Sequence, residues 1–340
     1  MKKAIILFNL GGPDSLNAVE PFLFNLFNDP AIISLPSFLR FPLAKFISKR
    51  RTPVAKAIYA EMGGKSPILE ETKAQAVAIE NSMQDEKDEY KSFIVMRCWN
   101  PRATETIKKV KEFRPDQIIL LPLYPQYSNA TSGSSINEWL DICKKESLTV
   151  ETKIICCYPT EKDFILSYAS LIKEKINLKK LSETTLIFSA HGLPEIKIKQ
   201  GDPYQWQVEQ SVKELVRKLS IEKLNYILSY QSRVGPLKWI GPSTEEIIKE
   251  EAIKGKILIV VPVAFVSEHS ETLVELDIEY KKLAEENGSK EYIRVPAVTV
   301  NRDFINSLKS SILKASAGER FTSSINCLEK FKKCPRLQEV

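Results

Sequence analysis

Short β-branched and aliphatic runs alternate with longer charged, amphipathic stretches along nearly the whole chain. That alternation is the signature of parallel sheets joined by crossover helices, and it fixes the class as α/β. The first half offers strands near 4–10, 93–97, 117–124 and 153–158, and the second near 185–191, 226–231, 256–265 and 291–296. Amphipathic stretches at 101–113, 163–176, 207–219 and 270–286 supply helices. The halves also match in detail. IILFNLGGP (5–13) parallels LIFSAHGLP (186–194), and QIILLPLYPQYS (117–128) parallels KILIVVPVAFVSEHS (256–270). Two similar Rossmann-like domains are expected, each a parallel sheet flanked by helices. The first covers 1–160 with a lip at about 31–66, the second 161–315, and 316–340 forms a tail. Ligands of such sheets bind beyond the carboxyl ends of strands, so residues just past each strand matter most.

A length of 340 residues suits two domains, and 43% apolar with 27% charged residues suits packed cores under a charged surface. The net charge of +6 favours anionic small molecules or an acidic membrane surface. No dense basic stripe with interleaved aromatics is present, so no nucleic acid partner is expected. Lys2, Lys3 and the run 4–10 imitate a signal peptide, but Gly11, Gly12, Pro13 and Asp14 replace a cleavage site, and the run reads as a buried strand. No segment approaches the roughly 20 apolar residues of a membrane span. Six cysteines without a CxxC pair fit a reducing cytoplasm.

Only two histidines occur, and each stands just past an expected strand: His191 after TLIFSA, His269 after VVPVAFVSE. A lone histidine is commonly structural, but two of two at strand ends point to chemistry, since imidazole accepts protons and binds metals near neutral pH. After His269, Glu271, Glu275 and Glu279 recur at i, i+4 and i+8, where like charges repel. Ser270 or Ser267 capping the helix explains Glu271 alone. Two readings remain for the full series, a solvated face or a carboxylate track that moves cations or protons. Imidazole with carboxylate suits a labile Fe²⁺ or Zn²⁺ site, including a facial triad of His191, His269 and Glu271. A two-domain clamp that carries haem or a metal without turnover is the non-enzymatic alternative.

Nine segments together resemble the ferrochelatase family: NLGGPDS (9–15), KRRTP (49–53), GGKSPI (63–68), LPLYPQYS (121–128), TSGSS (131–135), FSAHGLP (188–194), GDPY (201–204), QSRVGPLKWIGP (231–242) and FVSEHSETLVELDIEY (265–280). The resemblance implies a chelatase-type pair of domains with porphyrin in the cleft between them, and a lyase that inserts Fe²⁺ into protoporphyrin IX in the last step of haem biosynthesis. Coproporphyrin is the alternative substrate. By motif, His191 and Glu271 resemble the family's catalytic and metal-insertion pair, with His269, Glu275 and Glu268 in a supporting acidic network. Arg51, Tyr59, Ser66 and Arg50 resemble the propionate-binding set; the alternative for the basic pair is a solvated turn ahead of a helix starting at Pro53. Leu10, Trp239 and Phe265 are expected as apolar walls, and Arg97 and Tyr124 as further porphyrin contacts. Cys98 stands where many relatives have an aromatic residue and is left out of the site.

The segment 31–46 sets Ile32, Ile33, Leu35, Phe38, Leu39, Phe41, Leu43 and Phe46 beside Arg40 and Lys45. It reads as a lip that touches a membrane interface, lines the porphyrin mouth or packs inward. The expected setting is cytoplasmic, with a peripheral contact to the inner membrane or to the preceding pathway enzyme. No cofactor beyond substrate Fe²⁺ is expected. Some family members hold a [2Fe–2S] cluster, but four thiolates are its norm and the tail has only Cys327 and Cys334.

Overall fold

In the computed structural model, residues 1–233, 235 and 237–337 are described. Val234 and Pro236, in the middle of the QSRVGPLKWIGP motif, and 338–340 of the tail lie outside the described residues. Nine strands are formed among the described residues: β1 Lys2–Asn9, β2 Glu89–Met96, β3 Gln117–Pro122, β4 Glu151–Cys157, β5 Thr184–His191, β6 Tyr226–Gln231, β7 Ile257–Pro262, β8 Glu291–Arg294 and β9 Phe321–Ser323. The chain divides into two compact units, 1–157 with 308–323, and 158–307 with 324–340.

The first unit holds a parallel sheet in the order β2-β1-β3-β4-β9, and the second a parallel sheet in the order β6-β5-β7-β8. The shared core order, with the unit's first strand between its second and third, is what the paired sequence runs lead one to expect. Central strands are buried along almost their entire length: β3 and β7 completely, β1 and β5 except at one end residue. Sheets covered on both faces need such unbroken aliphatic runs. Edge strand β2 alternates instead. In the first unit, Ile6, Phe8, Ile118 and Leu120 pack against Ile107, Val110 and Trp139. In the second, Ile187, Leu258 and Val260 pack against Ile248, Leu276 and Tyr280.

Two expectations change. The helix over Ser37–Glu61 contains both Pro42 and Pro53, so Arg50 and Arg51 lie inside a helix rather than in a turn ahead of one. Both prolines are exposed, and the Ser48 and Thr52 hydroxyls donate to the Lys45 and Ser48 carbonyls at 3.1 and 2.8 Å. The stretch 270–286 begins as a π-helix over Glu271–Tyr280 and becomes an α-helix only over Lys281–Glu286, and Ser270 makes no capping hydrogen bond.

Trp139 is fully buried and meets Phe8 edge-on at 6.2 Å between ring centres. Trp139→Ala is expected to destabilise the first unit by about 3–5 kcal/mol, because the sheet cannot close the cavity. A fall in the urea midpoint followed by circular dichroism checks this.

Candidate active site

His191 is the last residue of β5, paired in register with Gln231 at the end of β6. Since β6 and β7 lie on opposite sides of β5, the chain leaves β5 at the switch point of the sheet, where a crevice opens beyond the strand ends. His191 Nδ1 lies 2.7 Å from Glu271 Oε2. Tyr204 holds the strand end from below, its hydroxyl donating to the His191 carbonyl at 3.0 Å.

Ser232, one residue past β6, organises the carboxylates. Its φ of 61° is left-handed, a conformation that costs a non-glycine residue free energy. That turn points its amide at Glu275 Oε1 (2.9 Å) and its hydroxyl at both Glu275 Oε2 (2.5 Å) and Glu271 Oε2 (3.0 Å). Gln231 donates to Glu275 Oε2 at 3.0 Å and to the Glu271 carbonyl at 3.2 Å, and Tyr280 donates to Glu275 Oε1 at 3.0 Å. Glu271 and Glu275 thus draw on one hydroxyl proton, and their charges oppose each other. The electrostatics agree. Burial opposes ionisation of Glu271, yet the His191 imidazole and its hydrogen bond hold the carboxyl down to about 2. Burial and the Glu271 charge push Glu275 up. Burial works against the His191 imidazolium, and the Glu271 carboxylate outweighs it, so the histidine is raised above 6.5.

The expected site residues separate into those the fold brings together and those it does not. Trp239 joins His191: it bridges to Pro194, and a Cβ on Gly192 would come within 3.2 Å of its ring. Phe265 packs against His269 with ring centres 4.7 Å apart and the rings tilted by 55°, and burial pushes His269 below its ordinary value. Glu268 is turned elsewhere, into an ion pair with Arg294 at 2.7 Å and a bond from the Ala297 amide at 3.0 Å. Glu279 is exposed. Among the described residues no three His, Cys, Asp or Glu side chains are arranged to hold a metal, so His191, His269 and Glu271 do not form a facial triad. Gln231, Ser232, Tyr204 and Tyr280 were not singled out from sequence, although the first two sit directly at the end of β6.

In the first unit, Leu10 is half-buried just past β1, as is Arg51 on its helix, while Arg50 is exposed. Tyr59 is buried in an apolar cluster with Val19, Phe22 and Cys98, and Tyr124 is half-buried with its hydroxyl turned inward. Ser66 packs so closely on Gly12 that a Cβ there would fall 2.5 Å from the serine side chain, which ties the GGP turn to the GGKSP loop. Arg97 is held on three sides, by Asp29 at 3.0 Å, Glu138 at 3.1 Å and Ser134 at 2.7 Å.

The pairing of His191 with Glu271 has a direct spectroscopic consequence. The imidazole keeps its proton to higher pH than an isolated one, and Glu271→Gln is expected to lower its pKa. Two histidines give two imidazole signals, so an NMR titration of the variant beside the parent reads this without ambiguity; an unchanged His191 titration would refute the pairing.

The sequence profile of the Ferrochelatase family matches residues 2–316. A ferrochelatase of Pelagibacter ubique is 62% identical over 343 residues, spanning 99% of both chains. One from Rickettsia bellii is 48% identical over 344 residues, spanning 97% of this chain and 94% of its own. Among solved structures, SirB from Bacillus subtilis with Fe³⁺ is similar at a TM-score of 0.52 over 93% of this chain and 96% of its own, with 12% sequence identity. CbiX, the terminal enzyme for biosynthesis of siroheme in denitrifying bacteria, is similar at 0.50 over 93% and 99%, with 11% identity. Those two likenesses concern the fold, a chelatase-like arrangement of parallel sheets and helices. With a profile matched over nearly its whole length and relatives this close, the chain belongs to the ferrochelatase family.

Proposed function

We propose that the chain inserts Fe²⁺ into protoporphyrin IX, releasing two protons, and that His191 and Glu271 are where it does so. The observation that carries the reading is the 2.7 Å contact between His191 Nδ1 and Glu271 Oε2 at the open end of β5. Metal insertion replaces two pyrrole N–H protons with Fe²⁺, so the site needs a base and a place for the proton to go. His191 with an ionised carboxylate behind it is the stronger base of the two histidines. Glu271, kept ionised, offers the cation an oxygen ligand and stabilises the imidazolium after proton transfer. Glu275, with its raised affinity for protons and a shared hydroxyl at Ser232, takes the proton onward. Iron is substrate here, and the reaction calls for no resident cofactor.

Trp239, Phe265 and Leu10 would supply apolar walls, favouring a distorted macrocycle whose nitrogen lone pairs face the metal. Arg51 and Arg50 would meet the propionates together with Ser66 and Tyr59, while Arg97, held by Asp29 and Glu138, would stand near the iron side and Tyr124 would be a further porphyrin contact. No described helix is long and apolar enough to cross a membrane. Phe38 and Phe46 are nevertheless 74% and 62% exposed on the helix that carries Arg40 and Lys45, which supports a peripheral contact with an anionic bilayer.

Anaerobic incubation with Fe²⁺ and either protoporphyrin or coproporphyrin tests the reading. Metalloporphyrin absorbance should grow above the protein-free rate, faster with protoporphyrin. His191→Ala is expected to lose at least about 100-fold in rate, the contribution of a positioned general base, with His269→Ala close to the parent. Glu271→Gln should lower the insertion rate far more than porphyrin affinity measured by fluorescence quenching; equal loss of both would assign it a structural role. Phe38→Asp with Phe46→Asp should abolish co-sedimentation with vesicles rich in phosphatidylglycerol while leaving insertion into soluble porphyrin intact.

A further inference from the structure

Residues 324–337 pack as part of the second unit. Phe331 is buried against Trp206, ring centres 5.2 Å apart. The Lys333 amide donates to the Gly201 carbonyl at 3.1 Å, and any side chain at Gly201 would strike the Lys332 amide nitrogen at 2.9 Å. Gln207 donates to Cys327 Sγ at 3.3 Å. Trp206 and Gln207 belong to the helix Tyr204–Leu219, whose first residue donates to the His191 carbonyl. Cys334 is buried 1% exposed at the end of this docked stretch, and its thiol is hydrogen-bonded to that of Cys327, which is half-buried.

We propose that Cys327 and Cys334 are a dithiol that closes reversibly to a disulfide, a modification site that fastens the turn 327–334 in the form in which it lies against the helix Tyr204–Leu219. The thiols meet already, and the eight positions from 327 to 334 turn back on themselves through the Phe331→Leu328 and Cys334→Phe331 backbone bonds, so closure needs little movement. The reactivity of the pair is unlike that of other thiols in the chain. The Cys327 hydrogen bond, against the effect of burial, brings Cys334 down to about 7, whereas burial pushes Cys98 up to about 12 and Cys143 up to about 11. Thiolate is the nucleophile in exchange, so oxidation falls on this pair.

The oxidant is a small-molecule disulfide of the glutathione type. Cys327, the more accessible sulfur, gives up its proton to solvent and attacks one sulfur of that disulfide, forming a mixed disulfide and releasing one thiol. The Cys334 thiolate then attacks the Cys327 sulfur, breaking the mixed bond and releasing the second thiol. Two protein thiols are oxidised, one small disulfide is reduced to two thiols, and a reductant such as dithiothreitol reverses the sum.

The test uses the full-length native protein, incubated with oxidised glutathione, blocked with an alkylating agent and mapped by mass spectrometry after tryptic digestion. The expected result is a pair of peptides cross-linked through Cys327 and Cys334, separated again by dithiothreitol. In Cys327→Ser, Cys334 should be recovered alkylated or singly glutathionylated, with insertion activity under reducing conditions equal to the parent. Three results would overturn the proposal: both cysteines alkylated in the oxidised parent, a cross-link confined to Cys156 and Cys157, or iron with inorganic sulfide bound to the purified protein and lost in Cys327→Ser. A tail that is cut by trypsin in native protein equally fast before and after oxidation would refute the fastening role.

Discussion

The register of β5 against β6 governs everything at the site. Because side chains alternate between faces with a period of two, a slip of one residue would send His191 to the other face and part Ser189 from Gln231, which now bond at 2.7 Å. That buried bond, and a second between the Ser189 and Thr244 hydroxyls at 2.9 Å, lock the register from inside the sheet, where an unpaired hydroxyl or amide would be costly. Once register is set, Gln231 and Ser232 emerge level with His191 and face the π-helix. The wider helix presents Glu271 and Glu275 to the same serine. A chain of polar contacts thus runs from a buried strand pair to the two carboxylates, and each link is positioned by the one before it.

The charges in this cluster are arranged to be unequal. Two carboxyls share one hydroxyl, and only Glu271 has a cation to pair with. The histidine therefore gains affinity for protons, Glu271 loses it, and Glu275 gains it. The contribution to stability follows with its sign. The His191 part is fully present below 6.5 and fades as pH rises through the raised folded value. The Glu271 part is present above 4.5 and is lost as pH falls towards about 2. The pairing therefore stabilises the fold most between those ordinary values, and above them it weakens as the histidine becomes neutral.

Much of this architecture is legible in the sequence, for a physical reason. Strands buried on both faces must be aliphatic nearly throughout, so β1, β3, β5 and β7 announce themselves, and residues following them become candidates at once. His191 and Glu271 were readable on those grounds together with the motif resemblance. What stayed hidden depends on register or on geometry that composition does not encode. Strand β9 is three residues long and pairs with β4 through an irregular register, leaving no periodic trace. A π-helix and an α-helix differ too little in apolar spacing over ten residues to be told apart. Ser232 and Tyr280 look like ordinary polar residues until the fold aims them at a carboxylate. Glu268 stands beside His269 in the matched motif, but neighbours in sequence need not share a direction, and its carboxylate is paired with Arg294.

The two matched sequence runs carry one more consequence. When IILFNLGGP is set against LIFSAHGLP, Leu10 falls on His191, and Gly11 on Gly192. Both pairs stand at the switch point of a sheet with the same core order. Each unit therefore offers the same exit from its central strand, followed by a glycine where other backbone comes close: Trp99 at Gly11, Gln231 at Gly192. One unit places an apolar side chain at that exit and the other an imidazole. Placing them at equivalent positions of two similar folds lets each be adjusted by local substitutions around one strand end, without disturbing the sheet that supports the other.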